Sequence, residues 1–272
     1  MILKSSALLI LSFIFLLFCS NLSSQEVAIK SKELRFHFGL SHNRVVDQLL
    51  ARRNLQFNGT LFKSNVEFQK FNPKHTFGIQ SSFSVGDVEN TNIELTPKLY
   101  QIEIKAFYQK LLKEYTFLGK KSHLFGGLQM GLSNYVLDDR TVLENVTVTF
   151  NNFMGLLLSQ QMELNSKNDL TFSLSLPFVG FTKREDYDGG ANTQLEEDFE
   201  SNLLGFLFRG SEARFISPFD LANFNILYSF NPNPEKKISY LINYQFQYLN
   251  NEEELPINLY NNSLTIGIKF GL

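Results

Sequence analysis

Tryptophan is absent, and the only cysteine, Cys19, falls in an apolar leader, so residues 25–272 can form neither a disulfide nor a thiol nucleophile. A small scaffold stapled by disulfides is thereby excluded. Outside the leader, no apolar run approaches the roughly 18 residues of a helical membrane span. If the chain enters a membrane, it does so as strands. The formal net charge is −2, with no basic excess to attract a polyanion, so nucleic acid is not expected as a partner. No G-x-S-x-G elbow, H-E-x-x-H motif, helix-period segment or internal repeat occurs, and no cofactor is implied. What the chain does hold is 43% hydrophobic residues with 28 Phe and 10 Tyr, a content that suits strands and rules out disorder.

Residues 1–24 read as a cleaved secretory signal: Lys4, then the apolar run Ala7 to Phe18, then the small polar stretch from Ser20 to Ser24. Phe18 is too large for lipoprotein cleavage ahead of Cys19, so cleavage after Ser24 is expected, leaving 25–272 as one β domain.

From Leu34 the apolar period is two. Leu34, Phe36, Phe38 and Leu40 alternate with Arg35, His37, Gly39 and Ser41, which is the pattern of a strand with unlike faces. Further strands are expected over 55–71, 77–85, 100–108, 124–132, 146–162, 170–178, 224–230, 238–248 and 264–272. Asn72-Pro73-Lys74-His75, 165–169 and Asn231-Pro232-Asn233-Pro234 are turn sequences, 111–122 is a long link, and 183–200 is an acidic surface loop. Pro177 predicts a strand end or a bulge, because proline cannot donate to the ladder. The count is about ten strands, or twelve if 202–217 adds a hairpin.

Short turns alternate with longer polar loops, and one strand face is continuously apolar while the other is mostly Asn, Gln, Ser, Thr, Lys and Glu. An all-β, antiparallel, up-and-down transmembrane β-barrel has both features, with lipid outside and a polar lumen inside. The C-terminal alternation Leu264, Ile266, Ile268, Phe270, Leu272 resembles the strand signal read by the outer-membrane barrel assembly machinery, although it ends on Leu272 rather than Phe. The whole mature chain resembles Gram-negative outer-membrane β-barrel proteins. That resemblance implies the bacterial outer membrane as location, and membrane lipid, lipopolysaccharide, the assembly machinery and other envelope proteins as partners.

Arg35, His37, Lys63, Glu67, Glu103 and Lys105 share the polar face of neighbouring strands and are expected to form a salt-bridged lumen network. Glu185, Asp186, Asp188, Glu196, Glu197 and Asp198 form an acidic run suited to a hard divalent cation, without EF-hand spacing. His37, His42, Asp47, Asp87, Asp138 and Asp139 are the residues from which a hydrolytic site could be built, if the fold brought a base to an attacking water. The expectation is a non-enzymatic structural, binding or narrow-channel barrel. The alternatives are an outer-membrane hydrolase with residues at the extracellular rim and a soluble secreted β protein.

Overall fold

The computed structural model describes residues 31–47, 55–90, 94–139, 145–188, 213–214, 220–233, 236–251 and 257–272. Residues 1–24, expected as a signal, lie outside them. The strands are β1 (Ser31–Asp47), β2 (Leu55–Phe71), β3 (His75–Asp87), β4 (Lys98–Phe117), β5 (Lys120–Asp139), β6 (Asn145–Asn165), β7 (Asn168–Asp188), β8 (Ala213–Arg214), β9 (Leu221–Phe230), β10 (Ile238–Asn251) and β11 (Ile257–Gly271). Every pairing is antiparallel between chain neighbours, except that β7 pairs with β9, and β11 returns to β1. The result is a closed barrel of 10 strands. Closure aligns Leu34 with Phe270, Arg35 with Lys269, and Leu40 with Leu264, so the first and last strands leave no open edge between them.

The short connections share a mechanism. Asn72 Oδ1 accepts from Lys74 N at 2.9 Å and His75 N at 2.7 Å; Asn165 Oδ1 accepts from Lys167 N at 2.9 Å; Asn231 Oδ1 accepts from Asn233 N at 3.1 Å. Each asparagine thereby satisfies the backbone its own turn exposes. The link expected over 111–122 is instead a two-residue turn, Leu118 (φ 50) and Gly119 (φ 73), with β4 and β5 paired down to Phe117 and Lys120. Positive φ at both central residues is the hairpin turn that matches strand twist, and leucine in the first of them conceals it. β7 likewise runs six residues into the stretch expected as a loop, pairing Glu185 with Val148 and Asp188 with Asn145. At Pro177 the ladder slips by one residue, Gly155 pairing with Pro177 and Met154 with Val179, so Phe178 is an extra residue in a bulge. Of the segment expected as an added hairpin, 213–214 alone are described, and they pair with Phe181 and Gly180 beyond the end of β9.

Burial divides the barrel into two zones. In the half nearer the short turns the outer wall is apolar: Phe38, Leu40, Phe62, Ile104, Tyr240, Ile242 and Ile266 are all exposed, while Lys63, Asn65, Glu103, Lys105, Asn243 and Gln245 are buried inside. In the half nearer the long loops the parity of β1 and β2 holds, but the polarity of their two faces is exchanged. The outer positions become His42, Arg44, Gln56, Asn58 and Thr60, all exposed, and the inner ones become Val45, Leu55, Phe57, Leu61, Leu99, Tyr135, Leu137, Leu249, Ile257 and Leu259, which pack as one cluster with the loop residues Val88 and Leu95. Strands β6 and β7 are 21 residues each, whereas roughly 9–11 tilted residues cross a bilayer. On β1 and β2 the loop half is built like a water-soluble β-barrel, polar outside and apolar within, whereas on β6 the outer positions Val146, Val148 and Phe150 are apolar and buried together with Val136.

The inner face, expected to be polar, is polar in the turn half, and in the loop half it carries the apolar cluster beside Thr147, Thr149 and Asp139.

Candidate functional site

Inside the polar half, the side chains are arranged in tiers. Nearest the short turns, Arg35 Nη2 lies 2.8 Å from Glu33 Oε2 and Nη1 lies 3.6 Å from Glu67 Oε2, Lys269 Nζ lies 3.3 Å from Glu33, and Gln69 donates to Glu67. Above them Lys105 Nζ pairs with Glu103 Oε2 at 3.1 Å. Lys63 Nζ donates to Gln245 Oε1 at 2.9 Å and Ser263 Oγ at 3.2 Å. His37 is 1% exposed, and its ring faces the ladder position of Gly267, where a Cβ would stand 2.9 Å from Nδ1. The glycine makes room for the imidazole.

Glu103 is the hub of this arrangement. Its Oε2 accepts from Ser82 at 3.2 Å and from Lys105, and its Oε1 accepts from Ser133 at 3.1 Å and Gln247 at 2.6 Å. Four donors on one buried carboxylate stabilise its ionised form, and the neighbouring ammonium groups offset its desolvation. The next tier is neutral. Gln101 donates to Asn43 at 2.8 Å and accepts from Asn261 at 3.0 Å, while Ser41 donates to Asn261 at 2.7 Å. Beyond it comes the apolar cluster, in which a void of only about 10 Å³ remains among Val45, Leu99, Tyr135, Leu137, Ile257 and Leu259, about the space of one water.

Between the Glu103 tier and the short turns lies a cavity of about 170 Å³, reaching Gln69, Thr76 and Thr171 near the strand ends. Its walls include Arg35, Lys105, Asn65, Asn243, Phe107 and Phe125. Phe107 fits there because Gly78 carries no side chain: a Cβ at Gly78 would stand 2.3 Å from its ring. The cavity thus lies on the short-turn side of the Glu103 tier, lined mostly by polar residues.

All six residues expected in the lumen project inward: Arg35 with Glu67, Lys63 near Glu103 and Lys105, and His37 by itself against Gly267. Their partners, Gln245 and Gln247 across the barrel and Ser82 and Ser133 on the strands flanking β4, were visible in the sequence only as members of polar faces. The residues considered for a hydrolytic site are not brought together. His42, Asp87 and Asp138 lie at outward positions, with His42 Nδ1 3.4 Å from Thr60 Oγ1. His37 is inside near mid-height, and Asp139 is inside at the loop end of β5. Glu185, Asp186 and Asp188 lie in β7, and Glu196, Glu197 and Asp198 lie outside the described residues.

Among solved structures, the chain is similar to the outer-membrane protease OmpT of Escherichia coli, with 9% identity over 89% of this chain and 97% of that one and a TM-score of 0.50. It also aligns with the translocator domain of the autotransporter NalP from Neisseria meningitidis (9% identity, 98% of this chain and 96% of that one, TM-score 0.43). A third alignment is with the attachment invasion locus protein Ail of Yersinia pestis (11% identity, 88% and 98%, TM-score 0.33). At such identity the OmpT likeness is one of fold, and the fold is that of the Gram-negative outer-membrane β-barrels. No protein-family model matches the chain, and no curated protein sequence matches it.

Proposed function

We propose that the chain is an integral outer-membrane protein, exported through a cleaved signal, that acts without catalysis and without a through-pore, as a structural or docking component of the envelope. The apolar cluster in the loop half carries this reading. A conducting lumen needs a continuous wet path, and here Phe57, Leu61, Leu99 and Leu259, all nearly inaccessible, occupy the cross-section above the Glu103 tier. The exposed apolar wall around the polar half supports the membrane assignment, since so large a contiguous apolar surface is not left to water. Assembly through the signal Leu264 to Leu272, and contact of the polar outer collar with lipopolysaccharide, belong to the same proposal.

Planar-bilayer recording of the refolded full chain tests it. We expect insertion, seen as heat-modifiable migration, with no stable conductance steps. Reproducible single-channel steps from the wild-type chain would assign the narrow-channel role instead.

A further inference from the structure

Lys32 and Lys70 are direct cross-strand partners between β1 and β2. Both are exposed, and by parity with Phe38 and Leu40, and with Phe62 and Val66, both project outward. Like charges directly opposite one another on a sheet repel. Among the described residues neither lysine makes an ion pair, and neither do Lys74 and Lys110. Around the wall, Lys70 pairs with Phe77 and Phe77 with Tyr108. Lys110 pairs with His75, whose Nδ1 is 2.8 Å from Tyr108 Oη and whose ring stacks on Tyr108 at 5.9 Å.

Lys32 and Lys70 each end an apolar stripe of the outer wall, Leu34, Phe36, Phe38 and Leu40 beyond Lys32 and Phe68 and Val66 beyond Lys70, while Lys110 has Ile104 and Ile102 on one side and the exposed Leu112 on the other. Elsewhere on the same edge the outward strand positions Phe230, Ile238 and Phe270 are apolar, while Lys121 is paired with Glu163 and Lys236 is exposed in the β9–β10 turn.

We propose that this sector binds the phosphate of an anionic phospholipid in the periplasmic leaflet, bridging Lys32 and Lys70, with Lys110 and the Tyr108–His75 pair beside it. The inference rests on the membrane-barrel reading. A bridging phosphate converts the Lys32–Lys70 repulsion into two charge-assisted contacts. The stripes beyond the lysines receive the acyl chains, which is why the ligand is a lipid rather than free phosphate. Basic groups at an anionic membrane surface strengthen binding by roughly fivefold each.

The test uses the full chain refolded into phosphatidylcholine vesicles containing phosphatidylglycerol, with heat-modifiable migration as the check on insertion and native mass spectrometry counting the lipids retained on the barrel. The wild type should retain phosphatidylglycerol over phosphatidylcholine severalfold. K32Q/K70Q should bring the two to parity, and K70Q alone should give an intermediate ratio, while K236Q, outside the sector, should leave it unchanged. Inserted wild-type barrel with equal retention, or a preference surviving K32Q/K70Q, overturns the proposal and leaves the membrane reading intact. Complete displacement of the lipid by inorganic phosphate overturns it in favour of a phosphate site. A chain that never inserts overturns both.

Discussion

Gln247 on β10 donates to Glu103 on β4 at 2.6 Å, a bond between strands five places apart in a ring of 10, and so across the full width of the lumen. One side-chain pair therefore ties opposite walls together, with Lys105 and Lys63 gathered around the same carboxylate.

Glu103→Gln should destabilise the barrel by about 3–5 kcal/mol, because it leaves buried ammonium groups without their counter-charge. Gln247→Ala should cost less, about 1–3 kcal/mol, since the carboxylate keeps its other donors. Adding Lys105→Met to Glu103→Gln should recover part of the loss. Urea unfolding in vesicles measures all three, and a double variant no more stable than Glu103→Gln alone would count against the hub.

On β10, Ile242 and Tyr244 are exposed on the outer wall while Asn243 and Gln245 are buried inside. Ile242→Arg should cost roughly 2–4 kcal/mol if the site lies near the bilayer midplane. Spin labels at 242 and 244 should report lipid, and labels at 243 and 245 a polar interior. The reverse pattern would refute the orientation.

Phe57 is 0% exposed at the centre of the loop-half cluster, so Phe57→Ala should cost about 3–5 kcal/mol through lost burial and the cavity left behind. Combined with Leu61→Ala it should also admit water, read as the appearance of small, unsteady conductance. A double variant that unfolds at the wild-type urea concentration would show that the cluster is not packed as described.

Strand β11 pairs on both sides, Phe270 with Leu34 and with Ile238. Deleting 268–272, or changing Phe270 and Leu272 to Asp, should open the ring and abolish assembly, leaving a protease-sensitive periplasmic chain. A truncated chain that accumulates instead as a folded soluble monomer would mean the protein is not a membrane barrel.

Much of the ring was legible in the sequence. The end of β2 at Phe71 was readable because an Asn-Pro turn follows it, and Pro177 predicted an end or a bulge where the bulge lies. The β4–β5 turn was hidden by a leucine at positive φ, and the full length of β7 by polar residues on both faces where the strand leaves lipid. The apolar cluster was missed for a related reason. Its members sit at the opposite parity to the lipid-facing residues, as Leu61 does to Phe62, so that along any one strand the change of zone looks like a lapse of pattern. Inward projection of Lys63 and Glu103 could be read from alternation. Their meeting with Gln245 and Gln247 could not, because it depends on how far the sheet is sheared when it closes, which no single strand records.

The exchange of faces on β1 and β2 also bears on how the barrel would reach the membrane we propose for it and stay there. To arrive from the periplasmic side, the outer collar of His42, Arg44, Gln56 and Asn58 would have to traverse the hydrocarbon layer, where polar side chains are costly. To leave, it would have to traverse it again. The collar behaves as the barb of a rivet: slow to pass, and slow to withdraw once the loop end stands in water. Residence in the membrane is then governed by a barrier as well as by an equilibrium.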